Sequence, residues 1–196
     1  MKVLNKVLMG AAALVLLTGC AKQVELADFQ AKVDAMEEHT YSQATVKYDV
    51  NLRTTSSGEQ DIINNQKGEV KFTYNADKGE WETTDEEHEG YVVYLRSIRG
   101  KDASVPEVNA GITQTVSYYI DSMMQTYKVQ VERKGGYDND GIRFNYDKYI
   151  ATYTYNKYGW LTKYTYEVAC TSSGAVLGQT FNSSENGYQK ISISYK

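Results

Sequence analysis

Few side chains in this sequence combine the residue type and the spacing that catalysis or metal binding requires. The 196 residues include two histidines, His39 and His88, which are not spaced as paired metal ligands. The sequence also contains no glycine-rich phosphate loop, no CxxC pair and no GxSxG nucleophile motif. We therefore predict that the protein is not an enzyme and that it uses no cofactor.

One short run partly matches a calcium-binding loop. Asp138 and Asp140 precede Gly141, which could serve as the glycine that such a loop requires. This alignment puts Gly136 at the first ligand position, where an aspartate is needed, and Asp147 where a bidentate glutamate belongs. A hairpin turn accounts for these residues better, so we predict no metal site.

Cys170 and His88 are the other groups with potential reactivity. Cys170 alternates with Val168 and two tyrosines on one face of a predicted strand, which favours a partly buried and unreactive thiol. His88 lies in the acidic run 85–89 without an evident nucleophile partner, which is typical of a surface loop. Neither residue predicts an active site.

The start of the chain carries a more specific signal. Lys2 and Lys6 precede the apolar run Val7–Leu17. The eleven residues of this run fall short of the ~20 that a transmembrane helix needs. A run of this length is typical of a secretory signal peptide. The residues that follow, Leu-Thr-Gly-Cys at positions 17–20, resemble the lipobox of bacterial lipoproteins at every position.

This resemblance implies a processed and lipid-anchored protein. In bacterial lipoproteins the cysteine, here Cys20, receives a diacylglyceryl group and becomes the new N-terminus. Residues 1–19 would then be the signal peptide, and 20–196 a domain held by acyl chains at the extracytoplasmic face of a cell membrane. An ordinary signal with an incidental cysteine is the alternative, although ordinary cleavage sites do not require cysteine.

Charge and cysteine content narrow the partners of such a protein. Without Lys2 and Lys6, 19 basic residues face 25 acidic residues, a formal charge of −6. This balance disfavours nucleic acid as a partner. With Cys20 lipidated, Cys170 is the one remaining cysteine, so no intramolecular disulfide can form and a packed core must stabilise the fold.

The remaining sequence predicts a mainly antiparallel β fold. Val24 to His39 has apolar residues at helical spacing and predicts an N-terminal helix. Later segments alternate apolar and polar residues between turn signals every 8–14 residues, which is typical of a meander. Tyr91 to Ile98 and Ile112 to Met123 also fit a helical face, although their β-branched residues disfavour helices. We predict a single α+β domain with a curved meander sheet, or half-barrel, packed on the N-terminal helix and one or two middle helices.

The order of elements, and hairpins such as 153–162 (YTYNKYGWLT), resemble small bacterial lipoproteins of the LolA/LppX-like group. The resemblance implies a half-barrel sheet wrapped around helices and enclosing an apolar cavity, in which carrier members hold acyl chains. It rests on the pattern of elements and transfers no ligand residue. Function depends on the site rather than on the fold.

Two functions are therefore open. The first is a hydrophobic or amphiphilic ligand, such as a lipid, bound in a cup on the concave face of the sheet and lined by Tyr48, Val50, Phe72 and Trp81. The alternative is a structural or interaction lipoprotein of the cell envelope that binds no small molecule.

Overall fold

The structure, a computed structural model, describes residues 21–176 and 179–196. Cys20 and the lipobox lie outside the described residues. One open, curved antiparallel sheet of nine strands dominates the fold, in the order β1-β5-β6-β7-β8-β9-β2-β3-β4. The strands are β1 Lys22–Val24, β2 Gln43–Ser56, β3 Ile62–Asn75, β4 Glu80–Glu82, β5 Ile112–Asp121, β6 Thr126–Asn139, β7 Ile142–Tyr155, β8 Leu161–Val176 and β9 Gln179–Tyr195. The prediction of a mainly antiparallel meander is confirmed.

The N-terminal helix is present but shorter than predicted. The helix α1 spans Leu26–Asp34, whereas the sequence predicted Val24 to His39. Val24 belongs instead to β1, because it pairs with Tyr118 of β5. Two of the predicted apolar positions, Phe29 and Val33, are fully buried against the sheet.

The two middle helices were predicted less well. The segment Ile112 to Met123 consists of β5, Ile112–Asp121, and the start of the turn that follows it, so the predicted helix is wrong there. Val116 and Ile120 follow Ile112 at intervals of four, a spacing that keeps residues on one face of a helix and also on one face of a strand. Pairing with β1 and β6 decides between the two. In the other segment, for which a helix was predicted over Tyr91 to Ile98, a 3₁₀ helix spans Glu86–Tyr94. The observed helix therefore ends four residues before the predicted one.

One face of the sheet, which we call the inner face, carries the hydrophobic core. Val46 of β2 lies on this face, and so does Ile193 of β9, which is its register partner. Helix α1 covers part of the inner face, where the Phe29 ring lies 5.1 Å from the ring of Tyr118. The segment of residues 96–106, which we call the roof, covers another part. Because the sheet and both covers lie within 21–196, this part of the chain has a core of its own.

Strand pairing is irregular between β6 and β7, the third and fourth strands of the sheet. The register shifts between Glu132 and Gly135, and the β7–β8 register shifts between Tyr146 and Lys148. Gly135 has a φ of +98°, and a Cβ at this position would come 2.5 Å from the carbonyl oxygen of Gly111. A glycine is therefore required at this bulge. Bulges increase the local twist and redirect neighbouring side chains.

Candidate functional site

A cavity of about 330 Å³ lies between the roof and the inner face of β6 and β7. This volume is at the small end of the range for small-molecule sites. Apolar and aromatic side chains of the two strands line it on the sheet side: Val129, Val131, Tyr149, Tyr153 and Tyr155. The roof contributes Ile98, Ala103 and Val105, so most of the enclosing surface suits an apolar ligand group.

Three basic side chains line the same cavity. Arg96 and Lys101 belong to the roof and are exposed, whereas Arg133 of β6 is half-buried. The acidic residue among the lining residues is Asp102, whose carboxylate accepts a hydrogen bond from the backbone N–H of Ser104 at 2.8 Å. The cavity is therefore locally cationic in a chain whose formal net charge is −4. An anionic group would be attracted to it.

Aromatic rings hold both guanidinium groups in place. The guanidinium carbon of Arg133 lies 4.6 Å from the ring centroid of Tyr149, and that of Arg96 lies 5.1 Å from the ring of Tyr153. Both distances are within the range of cation–π attraction. The two arginines therefore line the cavity from its two sides, Arg96 from the roof and Arg133 from the sheet.

Strand alternation and one glutamine side chain position Arg133, which lies two residues after Val131 on the same face of β6. Arg133 lies between Glu132 and Gly135, where the β6–β7 register is interrupted. Its Nε donates a hydrogen bond to Oε1 of Gln114 at 2.8 Å, and Nε2 of Gln114 donates to the carbonyl oxygen of Pro106 at 2.8 Å. One glutamine thus links the sheet arginine to the end of the roof.

Further hydrogen bonds attach the roof to α1 and β5. Nε2 of Gln30 donates to the carbonyl oxygen of Lys101 at 2.9 Å, and its Oε1 accepts from the N–H of Ala103 at 2.7 Å. The Tyr118 hydroxyl donates to the carbonyl oxygen of Ala103 at 3.2 Å. These bonds satisfy backbone groups that an irregular segment leaves unpaired. The cavity is therefore preformed by fixed contacts.

Burial keeps the tyrosines of the cavity protonated. It raises the pKa of Tyr155 to about 12 and also raises the pKa of Tyr149. In both cases desolvation of the tyrosinate is the largest cause, and a nearby arginine opposes it. Near neutral pH these hydroxyls are uncharged, so they do not cancel the positive charge of Arg96 and Arg133.

The four residues predicted to line a cup lie on the inner face of a different part of the sheet. Tyr48 and Val50 of β2 are 8% and 3% exposed, and Phe72 of β3 is 2% exposed. Trp81 of β4 is half-buried. Strands β8, β9 and part of the sheet's width separate these positions from the cavity beneath the roof.

An open cleft of about 770 Å³ brings together two of the predicted residues, Phe72 and Trp81. The cleft also contains Glu80, Glu82 and Glu89. Its acidic lining differs from that of the cavity beneath the roof and disfavours an anionic headgroup.

Tyr48 contacts a residue that the sequence suggested was on the surface. His88 is half-buried, and its Nε2 lies 2.9 Å from the Tyr48 hydroxyl. The other ring nitrogen, Nδ1, lies 3.0 Å from an Oδ of Asp85. The Tyr48 ring also stacks on Tyr91 with 4.5 Å between centroids. These contacts hold the 3₁₀ helix against β2, so the surface interpretation of His88 is wrong.

Two other sequence interpretations agree with the structure. Cys170 is half-buried, and burial raises the pKa of its thiol, as expected for an unreactive cysteine. Asp140 and Gly141 form the turn between β6 and β7, with φ values of +50° and +80°. The hairpin interpretation of this run is therefore confirmed.

The sequence analysis missed the basic residues of the cavity. Arg96 and Lys101 lie in a segment without periodicity, and Arg133 sits in an alternating strand where its neighbours are also charged. Alternation was the available signal for Arg133, because residues two apart share a strand face and Arg133 continues the series Val129 and Val131.

Comparisons with protein families, with characterised proteins and with solved structures found no match for this chain. Among the described residues, no helix is both long and apolar enough to span a membrane. Function must therefore be argued from the geometry of the site itself.

Proposed function

We propose that this chain is a lipid-anchored extracytoplasmic lipoprotein that binds an amphiphilic anion beneath the roof. The apolar part of the ligand lies on Val129 and Val131, and its anionic group meets Arg96 and Arg133. The observation that carries the proposal is the preformed cavity, whose lining combines an apolar floor with two guanidinium groups held against aromatic rings. Fatty acids and anionic lipids have this chemistry.

The charge arrangement supports an anion more than a neutral lipid. Arginine hydrogen-bonds carboxylate and phosphate oxygens with two parallel donors, and such charge-assisted bonds contribute about 1.5–3 kcal/mol. The Nε of Arg133 is occupied by Gln114, which leaves its terminal nitrogens to a ligand. A partly enclosed site strengthens the attraction, because less water screens it.

The membrane location rests on the lipobox at residues 17–20. Acyl chains on Cys20 would hold the domain beside the bilayer, which is the source of such ligands. We expect the Cys20→Ser variant to remain an unprocessed precursor that takes up no labelled fatty acid in cells. Normal processing and labelling of this variant would contradict the anchor.

Ligand binding is tested separately with the chain from Ala21 to Lys196 and a fluorescent fatty acid. We expect saturable binding with displacement by unlabelled fatty acid. Arg133→Gln should weaken it about tenfold or more, the equivalent of one lost charge-assisted hydrogen bond. The matched control is Arg143→Gln, since Arg143 pairs with Asp138 at 2.7 Å outside the cavity. Equal affinities for the two variants, or no saturable binding by the folded chain, would contradict the proposal.

An interaction lipoprotein is the second candidate, and the edge of β3 favours it. Residues 62–67 pair with β2 on one side, and strand β4 pairs only with Thr73–Asn75, so among the described residues no strand covers the other side of 62–67. Ile62 and Ile63 on this edge are 66% and 64% exposed. Exposed edges can accept a strand from another protein. Photocrosslinking from Asn65 in cells should then capture a discrete partner protein. If no partner is captured, this result would contradict the interaction function and favour ligand binding.

A further inference from the structure

We infer that the turn between β5 and β6 enters the surface of the lipid bilayer beside the N-terminal anchor. This inference rests on the anchoring part of the proposed function. The turn, residues 122–125, carries Met123 and Met124 at its tip, and they are 84% and 69% exposed. Single exposed apolar residues are common on protein surfaces. Two adjacent ones at the tip of a turn form a small apolar patch that can contact a lipid surface.

The turn holds these methionines outward by its own hydrogen bonds. The carboxylate of Asp121 accepts from the backbone N–H of Met123 at 3.0 Å and from that of Met124 at 2.9 Å. Gln125 completes the turn with a φ of +50°. A fixed turn presents the side chains without a further loss of backbone entropy on insertion.

Strand pairing places this turn next to the beginning of the chain's described part. Lys22 of β1 pairs with Ile120 of β5, and the turn begins two residues after Ile120. Cys20 precedes Lys22 by two residues. Full extension of these short stretches separates Cys20 from Met123 by at most about 24 Å, so an anchor at Cys20 keeps the turn close to the bilayer.

Other groups at the same end of the sheet suit a lipid interface. Tyr155 pairs with Tyr127 at the start of β6, so the turn between β7 and β8 lies beside the methionine turn. This neighbouring turn carries Lys157 over the ring of Tyr158, with Nζ 4.8 Å from the centroid. Tyrosine and lysine side chains with an apolar body and a polar tip are typical of the headgroup region.

The opposite end of the sheet provides a matched control. Ile62 and Ile63 have similar exposure but begin β3, which runs 14 residues toward the methionine end. At ~3.3 Å per residue, the isoleucines lie roughly 40 Å from that end. When the strands stand upright on the bilayer, the lipid that meets Met123 and Met124 does not reach these isoleucines.

The test attaches residues 21–196 to phosphatidylcholine vesicles through an N-terminal histidine tag and a nickel-chelating lipid. This attachment is independent of Cys20, so failure of natural lipidation and failure of insertion are distinguishable. Tryptophan is introduced in Met124→Trp and, as the control, in Ile63→Trp, and brominated phosphatidylcholine serves as the quencher. Thermal melts establish that both variants fold as the parent does.

The parent chain fluoresces through Trp81 and Trp160, and this signal is subtracted from that of each variant. We expect brominated lipid to quench the remaining fluorescence of Met124→Trp at least twofold more than that of Ile63→Trp. The emission of Met124→Trp should also shift to shorter wavelength when vesicles are added. Equal quenching in the two variants, or quenching of neither, would overturn the inference.

Discussion

Two parts of the inner face have the same kind of floor and different covers. Under α1, Phe29 and Val33 are fully buried, and the Phe29 ring packs against Tyr118 of β5 and Tyr127 of β6. Under the roof, Val131 is 4% exposed and lines a cavity of about 330 Å³. A regular helix fills the space above the strands with apolar side chains, whereas the irregular roof leaves room.

The difference shows where binding capacity comes from in this fold. Strand alternation alone supplies an apolar floor on both parts. The roof adds exposed cations, Arg96 and Lys101, at a position where a helix would present apolar residues. We therefore expect mutations under α1 to change stability and mutations under the roof to change binding.

The largest effect is expected from Phe29→Ala under α1. The ring is fully buried and packs against Tyr118 and Tyr127. Its removal should lower the free energy of unfolding by about 3–5 kcal/mol, because the close-packed surroundings collapse only in part. Chemical denaturation with urea measures this change. A loss below about 1 kcal/mol would mean that this part is not close-packed.

Alkaline pH is expected to destabilise the fold through tyrosines that are buried away from α1, Tyr155 beneath the roof among them. Burial raises the pKa of Tyr155 from 10.0 to about 12 and also raises the pKa of Tyr195 and Tyr164. A raised folded-state pKa means that Tyr155 contributes its full stability below pH 10, and that this contribution, roughly 2–3 kcal/mol, is lost as the pH rises to 12.

Thermal melts between pH 8 and pH 12, together with tyrosinate absorbance, test this expectation. The melting temperature should be steady up to about pH 10 and fall above it. Titration of every tyrosine near pH 10 in the folded protein would contradict the burial assigned here.

A matched pair of valines compares the two covers directly. Val33→Ala should cost about 2 kcal/mol, since it removes two buried methyl groups from a filled region. Val131→Ala enlarges an existing cavity and should cost roughly half as much. Urea denaturation of both variants gives the difference. Equal costs would show that the roof packs as tightly as the helix.

The smallest effect is expected from Tyr48→Phe, which tests the contact between β2 and the 3₁₀ helix. The substitution keeps the stacked ring and removes the hydroxyl that lies 2.9 Å from Nε2 of His88. One hydrogen bond of this kind contributes about 1 kcal/mol. His88→Phe should abolish the effect of Tyr48→Phe in a double-mutant cycle, and additive losses would argue against the contact.

The sequence predicted the parts of this fold that depend on local periodicity. The alternation from Ala44 to Arg53 predicted a half-buried strand, and β2 includes all of it. β5 was missed because a spacing of four residues fits both a helix and a strand, and only pairing with distant strands decides. The same limit applies to α1, whose first predicted residue, Val24, pairs with Tyr118, which is far away in sequence.

The candidate site was less predictable than the fold. Its cavity depends on how residues 96–106 cross the sheet, and this segment has neither period nor motif. Arg133 follows Val129 and Val131 on one face of β6, so alternation gives its side of the strand, but only the roof above that face makes it part of a cavity. The predicted cup residue Tyr48 is buried by the 3₁₀ helix, which the apolar pattern did not delimit.

Native mass spectrometry with an added fatty acid tests the central claim most directly. The chain from Ala21 and the Arg143→Gln control should each hold one fatty acid per molecule. The double variant Arg96→Gln/Arg133→Gln should hold less than a tenth as much at the same concentration, because both guanidinium groups are lost. Equal occupancy in the double variant and the control, or no complex with the folded parent chain, would contradict an amphiphile site beneath the roof.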